Sequence, residues 1–255
     1  MSSSGGSNLL AVGGVGSGTG TSTTPGLPSG STAARTILFA QVMTVSTETH
    51  SCATAGWTKI GQWSSNTTTM SLWSAPPGSA APVVTWASSV VFRSRTSLYD
   101  ANAGEPSSTI TNIVPNVSNT GGPVSHPGIT STKQSSSALW FISRSSGASG
   151  LSMDNGFYAA YMSNGPGVLL GTRPLPEPVT TGTTTTLLGN NTVEQVTVML
   201  ELETQDGDPG ITVSKMSSNA WMEPPDGLTV SKMSSNAWLD PVAAPPRRYP
   251  MLGTI

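Results

Sequence analysis

Hydrophobic positions along this chain recur with the period of a strand. The clearest run is Val193–Glu203, where Val196, Val198, Leu200 and Leu202 fall on one face and Thr197, Met199, Glu201 and Glu203 on the other. Alternation of this kind marks a half-buried strand. Ile37–Val45 is an apolar, β-branched run. Trp57–Trp63, Thr67–Trp73, Val83–Tyr99, Ser108–Val114, Ala138–Ser143, Gly156–Met162 and Gly167–Gly171 are further strand candidates. Turn residues punctuate them at Ser64-Ser65-Asn66, Pro76-Pro77-Gly78, Pro115 and Asp206-Gly207-Asp208-Pro209. No stretch of about 12 residues carries a capped helical stripe. The spacing predicts roughly eight to ten strands in an all-β, antiparallel sandwich or barrel.

The flanks read differently. Residues 1–35 are Gly-, Ser- and Thr-rich with no aromatic side chain, which predicts a flexible N-terminal arm ahead of a β-sandwich domain over 36–209. Residues 116–137 read as a long loop, a kind that is usually functional or disordered. Residues 210–255 form a C-terminal extension holding a tandem repeat. Thr212–Trp221 and Thr229–Trp238 are identical at a period of 17. Two copies are too few to build a solenoid, which needs about three. The duplication therefore points to surface contact.

Composition narrows the function classes. Only 9% of residues are charged, against about 25% in ordinary soluble domains. The polarity comes instead from 39 serines and 34 threonines. A net charge of −2 argues against nucleic-acid binding through bulk electrostatics, which needs clustered Lys and Arg. A single cysteine, Cys52, excludes an intrachain disulfide framework. No run approaches the ~20 apolar residues of a membrane-spanning helix, and Leu9–Val12 is too short for a signal-peptide core. The sequons at Asn66, Asn116 and Asn190 are expected by chance in so Asn-, Ser- and Thr-rich a chain.

Candidate chemistry is sparse. His50 lies two residues from Cys52, and Glu48 or Asp100 would complete a Cys-His-acid set; the plainer reading is a buried structural cysteine. His126 sits in the Gly- and Pro-rich loop, where a solvated side chain is the default. Glu201, Glu203, Asp206 and Asp208 offer hard oxygen ligands for calcium at a strand end, against a plainer solvated face and turn. Arg93, Arg95 and Arg144 are candidates for nucleic-acid contact or ion pairing. Trp221 and Trp238, with Lys215 and Lys232, hold equivalent repeat positions, and tryptophan is enriched at binding hot spots. They are the candidate intersubunit anchors, unless the tail folds back so that each tryptophan covers part of its own domain.

A Gly/Ser-rich arm, Thr- and Ser-rich β segments, the late strand VTVMLELET with its acidic turn and a Pro-rich C-terminal extension together resemble the coat proteins of small icosahedral viruses. The resemblance implies an eight-stranded jelly roll with N- and C-terminal arms. It implies a non-enzymatic structural subunit of a virion that self-assembles into a shell. Its partners would be copies of itself, other capsid proteins, viral RNA through few contacts and a host receptor or glycan. No cofactor is implied beyond calcium at the acidic cluster. The chain departs from many such proteins because its arm lacks the Lys and Arg that would neutralise packaged RNA. The alternative is a binding or decoration module, such as a phage fibre, protruding or adhesin domain, using loop 116–137 or the repeats.

Overall fold

The computed structural model describes residues 9–33, 36–100, 110–119, 124–132, 136–145, 151–161, 167–175, 177–188 and 194–203. The chain divides into two units, Met1–Pro209 and Gly210–Ile255. The second unit, with Trp221, Trp238, Lys215 and Lys232, lies outside the described residues, as do Asp206 and Asp208.

Every regular element among the described residues is a strand, and every pairing is antiparallel. Sheet A takes β1 (Leu9–Thr23), β2 (Thr36–Thr44), β3 (Ser51–Cys52), β4 (Thr58–Ser64), β5 (Thr69–Ala75) and β6 (Val84–Asp100). Its order is β1-β6-β2-β5-β4, with β3 also on β6. The later strands are β7 (Ile110–Ser118), β8 (Val124–His126), β9 (Ser136–Arg144), β10 (Leu151–Met153), β11 (Tyr158–Tyr161), β12 (Gly167–Leu175), β13 (Thr184–Leu188) and β14 (Gln195–Glu203). Sheet B runs β11-β12-β9-β14-β7, and the small sheet C runs β10-β13-β8.

The two halves repeat one topology. Matching β1, β2, β4, β5 and β6 to β7, β9, β11, β12 and β14 turns the order of sheet A into that of sheet B. The registers match as well. One row across sheet A reads Val15, Arg95, Gln41, Leu72, Gly61. Its counterpart in sheet B reads Pro115, Val198, Phe141, Leu170, Tyr161. Each row ends beside the same irregularity, one unopposed residue in the outer strand, Ile60 in β4 and Ala160 in β11. Sheet C completes the match. Its order β10-β13-β8 corresponds to β3, the start of β6 and the end of β1, where Cys52 meets Val84 and Thr23 meets Val84.

Sheets A and B stack through one apolar core. Ile37, Phe39, Met70, Leu72 and Tyr99 come from sheet A, and Leu139, Phe141, Leu170, Val196, Val198, Leu200 and Leu202 from sheet B. Phe39 meets Tyr99 edge-on at 5.5 Å and Phe141 across the layers at 5.6 Å. The outer faces are covered too. Leu38, Ala40 and Val42 of β2 pack under Val84 and Trp86 at the start of β6. Trp140 and Ile142 of β9 pack with Ile129, Phe157 and Met153. All residues of β2, β5 and β9 are consequently buried.

Several expectations change. Residues 9–23, read as a flexible arm, form the edge strand β1 on β6. The fourteen strands among the described residues exceed the expected number because β1 lies in the segment read as an arm, β8 in the segment read as a loop, and β3, β10 and β13 where no strand was expected. The segment 116–137 holds the end of β7, β8 and the buried Ile129. β7 runs through Pro115 instead of stopping there, as an edge strand tolerates a missing N–H. Truncating Phe39 to Ala removes the ring that joins the layers. The expected cost is about 3–5 kcal/mol, measured as a lower urea midpoint with an unchanged m-value.

Candidate functional site

The polar chemistry of the described residues gathers beneath the two outer covers, with one buried histidine in each half. His50 follows β2 and is 1% exposed. Its ring lies 5.5 Å from Trp86. A directed chain of hydrogen bonds fixes it. The Trp73 indole N–H donates to Ser71 Oγ at 2.9 Å, Ser71 Oγ lies 2.8 Å from His50 Nδ1, and His50 Nε2 lies 3.0 Å from Thr44 Oγ1. Thr44 in turn donates to the Ser46 carbonyl at 3.3 Å. The two ends set the direction, so Ser71 donates to Nδ1 and the ring carries its hydrogen on Nε2.

Charged and amide groups brace the same loop. Lys59 Nζ donates to the His50 carbonyl at 2.6 Å and to Gln62 Oε1 at 2.8 Å, and it sits 5.1 Å above the Trp73 ring. Gln62 also receives the His50 N–H at 3.0 Å and donates to the Glu48 carbonyl at 2.8 Å. Burial pulls the Lys59 pKa down. Hydrogen bonding from Ser88 holds the Glu48 carboxyl below its ordinary value. Burial, with Lys59 nearby, pushes His50 down to about 4. Neither ring nitrogen of His50 meets Cys52, which is half-buried among the apolar residues of the cover. Asp100 stands at the opposite end of β6, so the Cys-His-acid set is not assembled.

His126 is fully buried, not solvated as its loop setting suggested. It lies on β8, 6.2 Å from Trp140. Its Nε2 donates to the Val114 carbonyl at 2.9 Å, and its Nδ1 accepts the Gly128 N–H at 3.0 Å. Burial lowers its pKa against the pull of the Val114 bond. A second proton on Nδ1 would face the Gly128 N–H head-on. Gly128 is itself required. Its φ is 89°, and an added Cβ would fall 2.2 Å from the Gly182 carbonyl oxygen.

Glu201 is the third centre. The sequence placed it on a face that a metal or solvent would reach, but it is fully buried. Its Oε1 accepts from Ser131 and, at 2.8 Å, from Ser136. Its Oε2 accepts from Asn112 Nδ2, from Thr111 at 3.2 Å and from the Thr132 N–H at 3.4 Å. Burial raises its pKa, but the bonds from Ser131, Ser136, Asn112 and Thr132 outweigh this and hold it below normal. Two N–H groups aimed at the carboxylate suit an anion and leave little room for a cation. Glu203 is half-buried. Among the described residues no three His, Cys, Asp or Glu side chains come together as a metal site.

The arginines separate. Arg144, offered as a nucleic-acid contact, is 1% exposed at the end of the central strand β9, between Gly167 and Gln195. Arg95 turns inward and lines a small cavity with Gln41, Phe141 and Leu170. Arg93 is half-buried and donates to the Phe92 carbonyl at 3.1 Å. Lys59, Gln62, Ser71, Asn112, Ser131 and Ser136 escaped the sequence reading, because each acts on a residue brought near only by the fold.

Two outcomes follow from these centres. The fold keeps His50 neutral, so between pH 6.5 and about 4 the unfolded chain binds the extra proton. The His50 contribution is therefore present above pH 6.5 and lost as pH falls through about 4. The loss amounts to about 3 kcal/mol, read from urea unfolding across pH, and a His50→Asn variant has a shallower slope in that window. Glu201→Gln turns an acceptor into a donor facing other donors, and it should cost about 2–3 kcal/mol at pH 7 in the same assay.

Comparison with known proteins finds no matching family model, no matching curated protein and no matching solved structure.

Proposed function

We propose that this chain is a non-enzymatic structural subunit that assembles with copies of itself into a viral shell. One observation carries the reading: the buried His50, His126 and Glu201 are each occupied in bracing the protein's own segments. His50 and His126 pin loops beneath the covers, and Glu201 gathers donors from Thr111, Asn112, Ser131, Thr132 and Ser136. What such a body offers outward is strand edges and loops with little charge, which suits close packing of many copies. Weak contacts repeated over many copies give a stable assembly through avidity.

The all-β antiparallel body and the low charge support the resemblance to coat proteins. The strand order, with each main sheet drawn from one half of the chain, weighs against a standard eight-stranded jelly roll. Virion location, contact with a genome through few residues, calcium at the C-terminal acidic turn and anchoring by Trp221 and Trp238 belong to this proposal. A decoration or adhesin module is the second reading, favoured by Tyr158, which stands 65% exposed on the edge strand β11. Exposed tyrosine is a common anchor in recognition surfaces.

Negative-stain electron microscopy with light scattering of the full-length protein tests the proposal. Uniform closed particles that grow in with concentration are the expected result. A small species persisting at high concentration overturns it in favour of the second reading, which a glycan-binding screen then examines.

A further inference from the structure

Four strands end the two main sheets: β1 and β4 in sheet A, β7 and β11 in sheet B. A sheet edge presents unpaired backbone N–H and C=O groups, and soluble proteins block such edges with lysine, proline or a bulge. Three of these edges are blocked. β4 carries Lys59 beside the unopposed Ile60. β11 is four residues long and carries the unopposed Ala160. β7 carries Pro115, and a left-handed Asn112 (φ 49°) sits at its bulge. β1 differs. It is 15 residues long and has neither a charge nor a proline. Its register shifts lie to either side of a central stretch, where Val15–Gly20 runs in unbroken register against Arg95–Val90. The position matching Pro115 is Val15, which is 44% exposed. Among the described residues, the repeated fold thus closes this edge in one half and leaves it open in the other.

We propose that the β1 edge is a self-association edge. Two copies join β1 to β1, antiparallel about a two-fold axis near Gly18, so that sheet A continues from one protomer into its partner. The proposal rests on the structural-subunit reading and names its contact. Charge selects a second copy as the occupant. A two-fold seam sets each strand against its own image, and β1 brings no charge to meet its like, whereas a seam along β4 would gather two copies of Lys59. Ser17 falls opposite Thr19 of the partner subunit, and both side chains are exposed and small. Isologous two-fold contacts are also the commonest way identical chains associate.

The backbone along this edge points the same way. Gly13 is required inside the protomer, since an added Cβ would lie 2.1 Å from the Gly26 carbonyl oxygen, whereas at Gly16 it would crowd only the Ser94 and Thr23 hydroxyls. Gly18 has a φ of 159°, at the edge of the range that favours glycine, and an added Cβ at Gly20 would meet only the Phe92 ring at 3.8 Å. Glycine within a strand often marks the close approach of another backbone.

Sedimentation velocity and amide hydrogen exchange on the full-length protein over a concentration series test this. The expected result is a concentration-dependent dimer, or a larger assembly containing it, with amides in Val15–Gly20 gaining protection in step. Ser17→Lys with Thr19→Lys should raise the dissociation constant at least tenfold. Ser17→Glu with Thr19→Lys, which sets opposite charges across the seam, should restore association. An assembly that leaves exchange at 15–20 unchanged and ignores these substitutions overturns the β1 seam and spares the subunit reading. A protein that stays monomeric overturns both. Protection of these amides in the monomer at every concentration means that another segment of the same chain covers the edge, and overturns the proposal.

Discussion

Strands β2, β5 and β9 are buried along their whole length, so each needs a packing partner above and below. The shared core between the sheets satisfies one face of each. The other face is covered by the continuation of the same strands, since β6 passes without a break from the cover (Val84, Trp86) into the layer beneath (Leu98). In the second half the cover is a separate sheet, but its strands hold matching places. Burial on both faces dictates how polar residues behave. A side chain that reaches the space under a cover must find its hydrogen bonds there, because water does not. The hydroxyl relay through His50 and the donor shell of Glu201 are the answers to that demand.

The repeated topology does not impose repeated chemistry. The row Val15, Arg95, Gln41, Leu72 matches Pro115, Val198, Phe141, Leu170, and only the leucine is shared. Where the second half fills the centre of the interlayer core with Phe141, the first places Gln41. Its amide reaches across to the Ile142 carbonyl at 2.8 Å and to Ser143 Oγ at 3.1 Å. One layer thus supplies a ring and the other a directional bond that fixes how the layers register.

Much of the strand content was legible because it is a local property. Val83–Tyr99 anticipated β6 to within a residue at each end, and period-2 alternation located β14. The same alternation misled on Glu201. Polar residues on alternate positions read as a solvated face, while the donors that make burial tolerable come from Thr111, Asn112, Ser131 and Ser136, some 65 to 90 residues away. β1 escaped for a related reason. Its glycines, serines and threonines have the composition of a linker, and what orders them is the edge of β6 from Val84 to Tyr99, much later in the chain. Strand order is non-local throughout, so the repetition of one half in the other could not be read from residues that scarcely resemble each other.

That difference in chemistry between the layers has a temporal meaning. All the partners of sheet A lie before residue 101, so it can form its ladders while sheet B is still being translated. At about 5–20 residues per second its inner face then waits several seconds without a partner. An apolar sheet left waiting invites clumping with its neighbours on a crowded polysome. Sheet A carries Gln41, Arg95 and Ser97 on that face, where the later sheet carries Phe141, Val198 and Leu200. The half made first thus has the more polar of two largely apolar inner faces, and the greasier one is made when its cover already stands ready.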